Sequence, residues 1–418
     1  MKSENYIPKL KIAFLSIFIG LLTGTVSILF NKVLNLGFVF IGDLYKTKLF
    51  IFIVPIIAAL LVAFIRHKLL SKDNQGFGVE QVMYEIEHIK TQMMTPSAVF
   101  YKTIGTFLSL VSGFAAGRQG PVVHLGGAIG SHVAYRSKTD DDETRVLIGC
   151  GVAGCLAGIF NSPIFATLFV VEILFKKRYF DMLSTILLSS LASTLTVRVF
   201  LDKPYFADLY TNYLFHMSEV INFVLLGFVL GFVAILYMLS LKSFRKIFHH
   251  LQIPQILKNI SGAMIIIIML YFFSDYYQYN PTPALITAEH YSAMHLFAIS
   301  LILIALTGIS LGSGAIGGIF APGLVIGLTF GLGLSKVFVF FGLPLLDLNT
   351  YAMAGMAAMF AGFGNAPLSA SLMIVELTGQ YNLLFPMLIC SLISSKIAEF
   401  FMHDSIYHQN LELLMNNE

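Results

Sequence analysis

Long apolar stretches follow one another along almost the whole sequence, separated by short polar or glycine-rich segments. The stretches lie at about residues 11–31, 49–65, 98–115, 145–175, 181–201, 219–240, 261–273, 294–310 and 382–402. A helix needs about 20 apolar residues to cross the hydrocarbon core of a bilayer, and several stretches reach that length. The pattern therefore predicts an all-α polytopic membrane protein.

The composition agrees with a location in the lipid bilayer. Hydrophobic residues make up 57% of the 418 positions and charged residues only 12%, whereas soluble domains have about 25% charged residues. The formal net charge is only +3, so a nucleic-acid partner is not predicted. Basic clusters at residues 66–72, 176–178 and 242–246 are candidates for cytoplasmic loops under the positive-inside rule.

Glycine and proline interrupt two further segments, at residues 117–137 and 312–336, and this predicts helices that are broken within the membrane. Glycine permits close approach of the main chain, and proline suits the first turn of a new helix. Each turn is therefore expected to point a helix N-terminus into the protein, where its unpaired N–H groups could hold an anion weakly and reversibly. For the turns alone, tight helix packing through small residues is the alternative.

An internal repeat is the clearest sign of organisation. Gly151 to Glu172 reads GVAGCLAGIFNSPIFATLFVVE, and Gly355 to Glu376 reads GMAAMFAGFGNAPLSASLMIVE; the two align without a gap, with Asn, Pro and Glu in register. A looser pair precedes them, GRQGPVVHLGGAIG from Gly117 and GAIGGIFAPGLVIG from Gly314.

These repeats predict two homologous halves, residues 1–212 and 213–418. Repeats of this kind are common in transporters, where the substrate site lies at their interface. A membrane enzyme is the alternative class, but the sequence contains neither GxSxG nor HExxH. His124 and His132 lie about two helical turns apart without a third ligand at a suitable spacing, so neither a metal site nor a cofactor is predicted.

Three motifs resemble, in the same order, the pore signatures of the CLC chloride channels and chloride/proton antiporters. GFGVE at Gly76–Glu80 is similar to the family's Gly-Ser-Gly-Ile-Pro, GRQGP at Gly117–Pro121 to its Gly-Arg/Lys-Glu-Gly-Pro, and GGIFAP at Gly317–Pro322 to its Gly-x-Phe-x-Pro. The resemblance extends over about residues 70–410. It implies a CLC-type fold of two inverted-topology repeats with broken, tilted helices.

The resemblance also implies a homodimer in the bilayer, with a separate pore for chloride in each subunit. Backbone N–H groups at Ile319 and Phe320, and near Gly117 to Gln119, would hold the anion, and the Tyr407 hydroxyl would close the inner side. The residues implied to line the pore are Gly117, Arg118, Gln119, Gly120, Ile319, Phe320, Tyr407, Phe77 and Gly78, with gates at Gln119 and Tyr407. The length resembles bacterial members, so a bacterial inner membrane and no cytosolic regulatory domain are expected.

Two departures from the family pattern concern protons. Gln119 stands where the family has its external gating glutamate, and Ile173 stands where the antiporters have an internal proton-accepting glutamate. Neither side chain can take up a proton. We therefore expect passive or proton-uncoupled anion conduction, with a proton-coupled antiporter that uses Glu80, Glu85 or Glu172 as the alternative.

A third departure concerns the central anion site. Phe77 replaces the serine whose hydroxyl helps to coordinate the anion, and Glu80 replaces the proline. The phenyl ring could offer its positive edge to an anion or close the pore as a hydrophobic constriction. Fluoride-exporting members of the family also lack this serine, so fluoride remains an alternative to chloride. The sequence does not decide between these roles for Phe77, nor whether Glu80 faces the pathway or water.

Overall fold

The computed structural model describes residues 6–71, 76–89, 94–176, 182–200, 213–272 and 290–415. These residues form sixteen α-helices and no β-strand, which confirms the predicted all-α class. The first eight helices are α1 (Tyr6–Tyr45), α2 (Lys48–Phe64), α3 (Val79–Glu87), α4 (Pro96–Val111), α5 (Gln119–Arg136), α6 (Asp141–Phe160), α7 (Pro163–Phe169) and α8 (Leu183–Phe200). The other eight are α9 (Val220–His250), α10 (Gln255–Phe272), α11 (Ala293–Ser313), α12 (Phe320–Phe340), α13 (Leu348–Gly364), α14 (Pro367–Thr378), α15 (Leu384–Met402) and α16 (Ile406–Met415). One π-helical turn, Ile65–Leu69, extends α2, and another, Val170–Leu174, extends α7.

Within the described ranges, nine helices are long and apolar enough to cross a membrane. The prediction of a polytopic membrane protein is thereby confirmed. The basic cluster at residues 242–246 lies within α9 and is not a loop, because this helix continues to His250. Of the other two basic clusters, Lys72, Lys177 and Arg178 lie outside the described residues.

The apolar stretch at residues 145–175 is not one continuous helix, because the chain turns sharply after Phe160. Asn161 adopts the left-handed conformation with φ of 54°, and α7 then begins at Pro163. Asn365 does the same after α13 with φ of 52°, before α14 begins at Pro367. Asparagine tolerates this conformation better than most residues, and proline is suited to the first helical position. The repeated Asn-x-Pro sequence is therefore a helix break in both copies.

The centre of the protein is formed by α6 and α13, the two helices that precede these breaks. Every residue from Val146 to Phe160 and from Thr350 to Gly364 is buried. Around them the packing is similar in the two halves: α1 contacts α6 and α8, while α9 contacts α13 and α15. The predicted boundary between the halves follows residues 201–212, which lie outside the described part of the chain, and its position stays a prediction.

The two halves exchange carboxylates where α7 meets α14. Glu172 accepts hydrogen bonds from the backbone N–H groups of Leu368 and Ser369, at 3.2 and 2.8 Å. In return, Glu376 accepts from the N–H groups of Ile164 and Phe165, at 3.0 and 2.7 Å. Each glutamate of the repeat thus caps the N-terminus of the equivalent helix in the other half, where the helix dipole favours a negative charge.

This exchange predicts that Glu376→Gln and Glu172→Gln each lower the midpoint of thermal unfolding in detergent. A hydrogen bond to a charged group contributes about 1.5–3 kcal/mol, and the amide provides only a neutral acceptor. Glu399→Gln is the matched control, because Glu399 pairs with Lys396 at the partly exposed end of α15. A surface pair of this kind contributes about 0–1 kcal/mol. Equal midpoints for all three variants would contradict a stabilising role of the exchanged carboxylates.

Candidate functional site

The two glycine-rich turns of the sequence are hydrogen-bonded to each other. The N–H of Gly117 donates to the carbonyl oxygen of Gly318, and the N–H of Gly318 donates to the carbonyl oxygen of Gly117, both at 2.6 Å. The first turn leads into α5 at Gln119 and the second into α12 at Phe320. The mutual pairing therefore brings the N-termini of two helices from different halves to one point, as the sequence predicted for the two interruptions.

A third helix N-terminus approaches the same point. Gly78, which precedes α3, has φ of +117°, a conformation that side chains other than glycine rarely adopt. A Cβ atom on Gly78 would collide with the carbonyl oxygen of Gly120, and a Cβ atom on Gly120 would collide with that of Phe77. The turn before α3 and the start of α5 thus touch main chain to main chain.

A small cavity lies between these three N-termini. Its volume is about 10 Å³, near the lower limit for one water molecule. It is lined by residues from both halves: Phe77, Val79, Gln119, Gly120, Val123, Leu156, Phe169, Gly318, Ile319, Phe320 and Tyr407.

Two of the three helices that begin at this cavity, α5 and α12, leave their positive ends uncompensated. Neither α5 nor α12 has an acidic residue in its first turn or a side-chain hydrogen bond at its N-cap. By contrast, α7 and α14 receive the carboxylates of Glu376 and Glu172. Unpaired N–H groups and the partial positive charge of a helix dipole attract anions. Of these four helix ends, the two at the cavity are thus the ones suited to an anion.

Six of the predicted pore residues meet at the cavity, and three do not line it. The six are Phe77, Gln119, Gly120, Ile319, Phe320 and Tyr407. Gly78 lies behind the wall, against Gly120. The prediction that the Gly117 N–H holds the anion does not fit this conformation, because the Gly318 carbonyl oxygen already occupies that donor. The Arg118 guanidinium is bonded to Asn31 on α1 at 2.9 Å and does not line the cavity.

Gln119 and Ile173, which stand at the two positions where the resemblance implies proton-binding glutamates, differ in their surroundings. Gln119 is the first residue of α5 and is buried, and its Oε1 atom has no hydrogen-bond partner among the described residues. Ile173 is buried in the π-helical turn after α7 and does not line the cavity. Next to it, the Glu172 carboxylate is held by the N-terminus of α14. Within this arrangement Glu172 does not take the place of a carboxylate at position 173.

Aromatic rings form much of the cavity wall. The ring of Phe320 lies edge-on to Phe360 with centroids 4.5 Å apart, and the ring of Tyr407 lies 6.4 Å from that of Phe169. Tyr237, from α9, donates its hydroxyl to the carbonyl oxygen of Ile319 at 2.7 Å. This bond fixes the residue that precedes α12, whose N–H is one of the predicted anion donors.

Two cations lie near the turn before α3: Arg245, which belongs to the basic cluster at residues 242–246, and Lys102, which the sequence did not single out. The guanidinium of Arg245, on α9, lies 4.9 Å from the centre of the Phe77 ring and donates to Asn410 at 2.8 Å. Lys102, on α4, is buried and donates to Gln81 at 3.0 Å. No periodicity or motif marks Lys102 or the contact of Arg245 with Phe77, and the same holds for the apolar lining residues Val123 and Leu156.

Comparison with known proteins agrees with this architecture. The family model described as voltage gated chloride channel matches residues 58–399. The chain is 31% identical to the voltage-gated ClC-type chloride channel ClcB of Salmonella typhimurium, over 75% of this chain and 76% of the relative. It is 29% identical to the H(+)/Cl(−) exchange transporter ClcA of Vibrio cholerae, over 97% of this chain and 90% of the relative.

Solved structures show the same fold. A slow cyanobacterial Cl⁻/H⁺ antiporter superposes with a TM-score of 0.87 at 25% identity, covering 97% of this chain and 98% of the antiporter. A CLC-type fluoride/proton antiporter superposes with a TM-score of 0.81 at 23% identity, covering the same shares of the two chains. The predicted CLC-type fold is thereby confirmed.

The close approach of the turns predicts a large effect of a single methyl group. Gly120→Ala should separate the start of α5 from the turn before α3, because its Cβ atom collides with backbone and not with a flexible side chain. We expect a lower midpoint of thermal unfolding and loss of anion flux. Gly42→Ala is the control, since a Cβ atom there meets nothing within 4 Å and alanine favours the helix by about 1 kcal/mol. If Gly120→Ala and Gly42→Ala have the same unfolding midpoint and the same flux, the close contact between Gly120 and Phe77 is not required for stability or conduction.

Proposed function

Because this chain belongs to the voltage gated chloride channel family, we propose that it conducts chloride across the membrane without coupling to protons. The anion passes between the N-termini of α5 and α12, beside Gln119, Ile319 and Phe320. It is held there by backbone N–H groups and helix dipoles, and no cationic side chain lines the cavity itself. Binding of this kind is weak enough to be reversible, as conduction requires.

The observation that carries the proposal is the chemistry of the cavity wall. Of its lining residues, only Tyr407 has an ionisable side chain, and none has a carboxylate, an imidazole or an amine. A proton-coupled exchanger needs groups along its pathway that take up and release protons near neutral pH. Gln119 keeps the shape of a glutamate without its charge or its proton. An anion at this point therefore meets no competing carboxylate.

A second candidate function is proton-coupled antiport of chloride or fluoride. The relative ClcA is an H(+)/Cl(−) exchange transporter by name, and Phe77 occupies the serine position. The observation in its favour is that Glu80 accepts a hydrogen bond from Phe77, a residue of the cavity wall, at 2.5 Å. In this candidate Glu80 would bind the proton.

We further propose that the protein is a homodimer in the inner membrane of a bacterium, with one pathway in each subunit. The bacterial relatives support the location. The mass of the protein in detergent, measured by light scattering with correction for bound detergent, tests the dimer. A mass of one chain of 46.2 kDa would contradict it.

Flux from chloride-loaded liposomes separates the two functions. Chloride efflux and internal pH are recorded together, with a potassium ionophore present to release the electrical restraint. We expect rapid efflux that depends on the ionophore, and no proton movement driven by the chloride gradient. Proton movement against its own gradient would establish the antiporter instead, and loss of that movement in Glu80→Gln would identify its proton site. Repeating the assay with fluoride compares the two anions.

Gln119→Glu should convert the pathway into one that acid opens. A carboxylate at the first residue of α5 would occupy the uncompensated helix end and compete with the anion until it is protonated. We expect lower flux at neutral pH and recovery of flux on acidification. Gln119→Ala is the matched control, because it shortens the side chain without adding a charge, and its flux should not rise with acid. Flux through Gln119→Glu that equals that of the wild type at every pH would refute the position of Gln119 on the pathway.

A further inference from the structure

Glu80 is a buried carboxylate beside the cavity. It lies in the first turn of α3 and is 1% exposed. Its Oε1 atom accepts a hydrogen bond from the backbone N–H of Phe77 at 2.5 Å, whereas its Oε2 atom is buried without a hydrogen-bond partner among the described residues. Of the three helices whose N-termini meet at the cavity, α3 is therefore the one with a negative charge in its first turn.

The charge of Glu80 acts on groups from three other helices. These groups are Lys102 on α4, Arg245 on α9 and Tyr407 on α16. The hydrogen bonds of the two cations go to neutral amide oxygens, those of Gln81 and Asn410. A buried cation needs a compensating negative charge. Glu80 supplies it from a position next to the cavity wall.

Arg66 adds a further positive charge to this region. It lies in the π-helical turn after α2, and its charge acts on both Lys102 and Arg245. Three cations from separate helices thus lie within electrostatic range of one another, and one of them, Arg245, contacts the ring of Phe77. Their combined field would draw an anion strongly toward the Phe77 and Tyr407 end of the cavity.

We propose that Glu80 is a resident anion of the pathway, which partly neutralises these cations and thereby weakens the binding of chloride at the Phe77 and Tyr407 end of the cavity. The proposal rests on the anion pathway proposed above. A site that binds too tightly conducts poorly, because the ion must also leave. Glu80 limits this affinity by a fixed charge of the same sign as the permeating ion, held in place by the Phe77 N–H.

Helix capping is the other explanation for Glu80, and one substitution separates the two. Glu80→Gln keeps an oxygen that can accept from the Phe77 N–H, so a capping role alone predicts little change in anion binding. The resident-anion role predicts tighter binding, because the substitution removes the negative charge. Glu80→Ala removes both the charge and the cap, and serves to measure the contribution of the cap to thermal stability.

The test is isothermal titration calorimetry of chloride binding to the purified full chain in detergent. We expect Glu80→Gln to bind chloride about tenfold more tightly than the wild type, a difference of roughly 1.4 kcal/mol. Glu87→Gln is the matched control, since Glu87 is an exposed carboxylate at the other end of α3 and its removal changes the net charge equally. Chloride affinity in Glu80→Gln that is unchanged, or lower, would overturn the proposal.

A second variant keeps the proposal testable if Glu80→Gln folds poorly. Arg245→Gln removes one of the cations, and we expect it to weaken chloride binding several-fold. In the double variant the gain from Glu80→Gln should be smaller than in the wild-type background, because the two charges act on each other. Unchanged affinity in Arg245→Gln would count against the proposal. Size-exclusion profiles and unfolding midpoints identify variants that are misfolded.

The calorimetry and the flux assay fail independently of each other. Proton movement in wild-type liposomes would refute uncoupled conduction, yet the tighter chloride binding of Glu80→Gln would still support the resident anion. Conversely, uncoupled flux together with unchanged affinity in Glu80→Gln would refute only the resident anion.

Discussion

The architecture depends on the pair of hydrogen bonds between Gly117 and Gly318. Backbone N–H and C=O groups that leave a helix at membrane depth must find partners within the protein, since lipid offers none. Here two irregular turns, one from each half of the chain, satisfy each other. Because both turns lead directly into helices, the same pairing fixes where α5 and α12 begin and where the cavity lies between them.

The same reciprocity decides which helix ends remain available to an anion. Glu172 and Glu376 cross between the halves and place their carboxylates on the N-termini of α14 and α7. The first turns of α5 and α12 contain no acidic residue. A fold of repeated broken helices creates several positive helix ends, and the chain neutralises some of them while it leaves others open. The position of the anion site therefore follows from where the acidic residues are as much as from where the glycines are.

Local features of this structure could be predicted from the residues themselves, whereas long-range ones, such as the six pore residues that meet at the cavity, came only from the resemblance to a family. The breaks near Pro121, Pro322 and the two Asn-x-Pro segments follow from the conformational limits of glycine, proline and asparagine, which act within a few residues. The Asn-x-Pro sequence marks the break within residues 145–175, although the hydrophobicity of this stretch is continuous and by itself would indicate one helix. The contact of Arg245 with Phe77 joins α9 to the turn before α3, and no pattern within either segment predicts this contact. The assignment of the Gly117 N–H to an anion did not fit for the same reason, because its partner Gly318 lies in the other half.

A cavity wall without a carboxylate, an imidazole or an amine must control its anion by other means. The partial charges of helix ends and the charge of the Arg245 guanidinium do not depend on the arrival of a proton. The affinity for an anion is then determined when the protein folds, by how many of these charges face the pathway and how many are neutralised. Reversible binding requires that the positive charges near the pathway are partly neutralised. Each substitution that adds or removes a charge near Phe77 is therefore expected to change the affinity for the anion. In the role proposed here, the buried carboxylate of Glu80 matters for the charge that it adds, whereas a gating glutamate matters for the charge that it loses.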